Sequence, residues 1–183
     1  MASLSSIAMA LLDRGDLDGA RALLAHSLKL KEATLGPDHP SLGDDLANLG
    51  NLLAEQRDLL GARDLLERAA ALHEQMYGAT HPEVATDLGN LGLVVQALGE
   101  MHAAGQLFER ALAIAESALD PSHPQVAVAL SNLAAHRRDL GDRAQARAMF
   151  ERALSILTRT RGEADAGTRS VRAALQRLEA SCR

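Results

Sequence analysis

The chain has 183 residues, enough for one domain or one array of repeats, with 47% hydrophobic and 23% charged residues. That balance excludes a disordered chain. The formal charge of −5, spread without a basic patch, together with one Tyr, two Phe and no Trp, argues against a nucleic-acid partner, since phosphates need cations and bases need rings to stack on.

In chain order, the first elements lie on Leu4, Ile7, Ala8, Leu11, Gly15, Ala20 and Leu24, apolar positions on either side of a glycine turn. This is the degenerate first copy of a pattern that then recurs. His-Pro opens the later copies at His39-Pro40, His81-Pro82 and His123-Pro124, with a spacing of 42 residues both times. Asn48-Leu49, Asn90-Leu91 and Asn132-Leu133 keep that period, and so do Glu67-Arg68-Ala69, Glu109-Arg110-Ala111 and Glu151-Arg152-Ala153. A fixed period of this length marks a repeat architecture.

Each copy reads as two helices. In the second, Leu46, Leu49, Gly50 and Leu53 form one helical stripe, and Ala62, Leu65, Leu66, Ala69 and Leu72 form the next. Between them stands Arg57-Asp58, where the other copies carry Gly15-Asp16, Gly99-Glu100 and Gly141-Asp142. Glycine there suits a left-handed helix end, and the acid suits the following N-terminus. Pairs end near Gly36, Gly78 and Asp120. Arg137 replaces the apolar Leu11, Leu53 and Val95, and Ala70 replaces Leu112 and Leu154. The last element, Asp165 to Cys182, sets Val171, Ala174, Leu175 and Leu178 against Arg169, Arg172, Gln176 and Arg177, as expected of a helix that caps an array with a polar outer face.

Leu88, Leu91-Gly92, Val95, Ala104, Phe108 and Ala111 fill the signature positions of the tetratricopeptide repeat. With a Leu35-Gly36-x-x-His39-Pro40 linker, related linkers before His81 and His123, and a 42-residue period, the chain resembles the kinesin-light-chain-like variety of that family over residues 1 to about 160. The resemblance implies an all-α fold, a right-handed solenoid of helical hairpins, as a single array over residues 1–183. Its repeats are expected at about 1–36, 37–78, 79–120 and 121–162, with a capping helix at about 165–181, nine helices in all. It further implies a protein-interaction adaptor whose first helices line a concave groove for a peptide or protein segment.

The His-Pro pairs suit helix starts, because proline favours the first helical position and the residue before it is extended. Thr80-x-x-Glu83 and Ser122-x-x-Gln125 match capping boxes that would begin the helix one residue earlier. Neighbouring helices pack about 8–10 Å apart, which separates these histidines too far for a shared metal.

Asn48 lies about 200° around its helix from core Leu46, and Asn90 and Asn132 repeat it. The resemblance implies a ladder of carboxamides that hydrogen-bonds a bound peptide backbone. The alternative is bonding between adjacent first helices. Asn51, Thr86, Gln96 and Arg138 are nearby groove candidates.

No catalytic or cofactor site is expected. His26, His73, His102 and His136 stand at non-equivalent places without a recurring carboxylate, and Asp44-Asp45 reads as a solvated first turn. Phosphate loops, zinc spacings and nucleophile elbows do not occur. Cys182 is the one cysteine, so no intrachain disulfide forms. No apolar run reaches the roughly 20 residues that span a bilayer, the start lacks a basic signal-peptide region, and the expected compartment is the cytoplasm. Two other readings follow from an array that opens at Met1: a regulatory or sensor segment of a larger signalling ATPase, and a scaffold that self-associates through its N-terminal face.

Overall fold

The computed structural model describes residues 7–8, 10–11 and 14–180. Among them all regular structure is helical: α1 (Leu17–Leu35), α2 (Gly43–Glu55), α3 (Leu59–Tyr77), α4 (Pro82–Ala97), α5 (Met101–Ala118), α6 (Pro124–Asp139), α7 (Arg143–Arg161) and α8 (Ala166–Ala180), with a 3-10 turn at Pro40–Leu42. Of the expected first helix, Ile7, Ala8, Ala10 and Leu11 are helical, and Leu4 lies outside the described residues.

The helix starts have a common chemistry. Nδ1 of His39, His81 and His123 accepts the backbone N–H of Ser41, Glu83 and Gln125 at 3.3, 3.2 and 3.2 Å. Proline then follows at the first helical position, where its missing N–H costs nothing. The histidine ring is therefore the cap, and the capping-box start at Ser122 does not form. The Ser122 hydroxyl instead donates to Asp120 at 2.6 Å.

Second helices start on a carboxylate. Asp16, Asp58 and Asp142 accept from the N–H of Gly19, Gly61 and Gln145. The residue before each acid is left-handed: Gly15, Gly99 and Gly141 at φ 78, 87 and 86°, and Arg57 at 66°. Arg57 takes the glycine conformation despite its Cβ, so the turn survives the substitution with local strain.

The chain divides into two compact units: Met1–Ala79 with Val94–Glu100, and Thr80–Leu93 with Met101–Arg183. In the first, α2 packs against both α1 and α3. Ala20, Leu24, Leu42, Leu46, Leu52 and Ala69 close its core. Gly50 lets the helices approach, for a Cβ there would lie 2.9 Å from Leu66 Cγ.

In the second unit α6 packs on α5 and α7, and α8 lies against α7 and α6. Its core joins Val84, Leu88, Ile114, Val126, Leu130 and Phe150 with Val171 and Leu178 of α8. A Cβ on Gly92 would sit 2.6 Å from the Phe108 ring, the same close approach in a different pair. Arg137, in a position apolar in other copies, swings out to pair with Glu109. Its Nε remains buried without a hydrogen bond among the described residues.

Candidate functional site

Between the front of α4 and α6 the second unit holds a cleft of about 220 Å³. Thr86 and Asn90 face it from α4 and Asn132 from α6, so three of the expected groove residues come together. The helical period explains the placement: Thr86 and Asn90 are one turn apart, and Asn132 repeats Asn90 in the next hairpin. Gly89 admits the Asn132 amide, since a Cβ there would stand 3.3 Å from its nitrogen. Thr86 Oγ1 accepts from Gln125 Nε2 at 3.1 Å, tying the two walls together. The carboxamides of Asn90 and Asn132 make no hydrogen bond to a described residue, and both are half-buried.

The remaining lining was not singled out in the sequence: Pro82, Ala85, Ala115, Leu119, Gln125, Val128 and Ala129. The signal that could have found it is a size change along the repeat. The position of Ala115 is Lys31, His73 and Leu157 in other copies, and that of Ala129 is Asp45 and Asp87.

Other candidates lie elsewhere. Asn48 and Asn51 stand half-buried on α2 in the first unit, and Gln96 belongs to that unit as well. Arg138 is held by its neighbour Asp139, with Nε 2.9 Å from Oδ1.

The expectation of a solvated Asp44-Asp45 pair fails at Asp45, which is 3% exposed. Lys31 reaches it as an ion pair, the arrangement a buried carboxylate requires. His73 and His136 are core side chains. His73 is buried where a Cβ on Gly43 would collide with its ring. His136 packs against Phe108, ring centres 5.5 Å apart. Burial pushes the His136 pKa below that of an ordinary imidazole, and neighbouring Arg137 adds to the shift. Among the described residues no three His, Cys, Asp or Glu are placed to share a metal ion. No described helix is long and apolar enough to cross a membrane.

The tetratricopeptide repeat family model matches residues 1–75, 45–104 and 84–159. No curated protein matches the chain. Among solved structures, the kinesin light chain nearly identical TPR-like repeats of Podosopora anserina share 22% identity at a TM-score of 0.76, over 96% of this chain and 83% of that one. A variant of the same repeats gives 0.78, over 96% and 82%. BtubC (BKLC) from P. vanneervenii gives a TM-score of 0.74 at 25% identity, covering 87% of this chain and 63% of that chain. The matched segments span almost every helical hairpin described above, and the chain belongs to the tetratricopeptide repeat family.

Proposed function

We propose that the chain is an interaction adaptor that holds an extended segment of a partner protein in the cleft between α4 and α6. Repeats of this family generally mediate protein–protein interaction. The observation that carries the finer reading is the pair Asn90 and Asn132, two carboxamides at the cleft with no hydrogen bond to a described residue. A carboxamide offers one donor edge and one acceptor, the complement of a peptide unit. Asn is also a mediocre helix former, so local stability does not favour it there. Asn48 repeats the position on α2 and extends the proposal to the first unit.

The test begins with a partner recovered by affinity purification and trimmed to its bound peptide. Titration of Asn90→Ala/Asn132→Ala is expected to lose roughly 1–3 kcal/mol, about fivefold to a hundredfold in affinity. The melting temperature should stay level or rise slightly. Wild-type affinity in this variant, or a marked fall in its melting temperature, would refute the clamp and favour a role in the fold.

A further inference from the structure

Two alanines, Ala115 and Ala129, line the cleft where other copies carry larger side chains. In the first unit the facing positions of second and first helix hold Lys31 and Asp45, whose side chains meet as an ion pair. His73, one copy later than Lys31, is a buried ring packed against Gly43. In the second unit the same two positions are Ala115 and Ala129, both buried and both ending at Cβ. The volume they leave stays open as the cleft. Leu157 shows that the repeat accepts a larger apolar residue at the position of Ala115. Leaving it unfilled forfeits dispersion contacts that a larger side chain would supply.

The chemistry of the walls narrows what can enter. Ala85, Leu119 and Val128 complete an apolar surface, and none of the lining residues is ionisable. Val128 is 47% exposed on it, so the surface reaches solvent. The Thr86 hydroxyl and the amide groups of Asn90, Asn132 and Gln125 supply the polar part of the lining. A charged side chain placed there would be desolvated without a counter-charge. At about 220 Å³ the cleft is below the roughly 300–1,000 Å³ of small-molecule sites and suits one side chain.

We propose that this cleft is an anchor pocket for a single uncharged apolar side chain, of Leu, Met or Phe size, carried by the bound segment. The inference rests on the peptide-holding reading above and adds which residue the peptide must carry. The flanking peptide units meet Asn90 and Asn132, and Ala115 and Ala129 select the side chain by making room for it.

The probe is a display library of random peptides about a dozen residues long, selected on the full chain. Three variants are compared with it. Ala115→Lys/Ala129→Asp transplants the Lys31–Asp45 pair, Ala115→Leu copies Leu157 and plugs the cleft without charge, and Asn90→Ala/Asn132→Ala removes the amides. Circular dichroism establishes which plugged variants keep the fold.

Selected peptides are expected to converge on one apolar residue at a fixed position. Replacing that residue by Ala, or plugging the cleft, should each weaken binding at least tenfold. The two losses should not add, because both remove one contact. Peptides that bind the plugged chain at full strength but still weaken with Asn90→Ala/Asn132→Ala overturn the pocket and leave the peptide-holding reading intact. A library that yields no binder, or binders indifferent to all three variants, overturns both.

Discussion

Lys31 and Asp45 in the first unit, and Ala115 and Ala129 in the second, stand at the same two places of one repeat. One pair joins its helices through an ion pair on the buried Asp45, and the other lines a cleft. The helices are kept in both, because other positions set the hairpin: the histidine and aspartate caps, the left-handed turn, and glycines such as Gly50 and Gly92 under a large side chain. Side chains at the two variable places are therefore free to differ. A buried ion pair is weak evidence of stabilisation, since desolvation offsets its attraction. The comparison teaches that the same two places carry charge in one junction and in the other leave an apolar surface that reaches solvent.

The largest effect that would sharpen this contrast comes from α8. Deleting residues 165–183 strips Val171 and Leu178 from the core of the second unit. At about 1.5–3 kcal/mol per buried side chain the loss is roughly 3–6 kcal/mol. Hydrogen exchange should show protection lost in α6 and α7 and retained in α1 to α3. Equal loss everywhere would break the division into units.

Next, Lys31→Ala leaves Asp45 buried without its lysine and should cost about 1–3 kcal/mol in thermal or urea denaturation. Lys31→Ala/Asp45→Ala, which copies the second unit, should recover at least half. A double variant worse than the single would mean that the first unit cannot adopt the alanine junction.

A third test uses acid. His136 has a depressed pKa when folded, through burial first and Arg137 second, opposed by Asp139 and Glu109. The unfolded chain takes up that proton near pH 6.5. The associated stability is therefore present above about pH 6.5 and is lost as pH falls toward the folded pKa, at up to about 1.4 kcal/mol per pH unit. His136→Leu, matching Leu52, should remove this slope from the difference between the two proteins. An unchanged slope would remove His136 as the cause.

The smallest effect is at the turn. Arg57→Gly relieves a left-handed non-glycine and should stabilise the first unit by about 0.5–1 kcal/mol, while Gly141→Arg should cost the second a similar amount. Loss of stability in Arg57→Gly would show that the arginine side chain contributes more than its backbone strain costs.

Much of the fold was legible because it rests on local chemistry with a period. The His-Pro caps, the Gly-Asp turns and the amphipathic stripe of α8 each announce themselves within a few residues. Thr86, Asn90 and Asn132 could be placed at a common surface by helical geometry alone. The cleft behind them could not, because it depends on what Ala115 and Ala129 lack, and alanine in a helix carries no signal of its own. Arg137 shows the opposite limit. Its sequence position says core, but its length lets the guanidinium reach Glu109. Asp45 was misread as solvated because its partner lies a helix away, at Lys31.

The cleft also bears on how such a chain can change by copying its own segments. Its walls come from α4 and α5 of one repeat and α6 of the next, so it belongs to the boundary between two copies and not to either. An in-frame duplication of residues 79–120 would add two helices, but the new boundary would set Ala115 against Asp87 and carry a charge where the cleft has none. Copying residues 79–162 as a block would create a second boundary of the Ala115–Ala129 kind. Lengthening the array one repeat at a time therefore multiplies helices without multiplying pockets, and the cleft is inherited in units of two repeats.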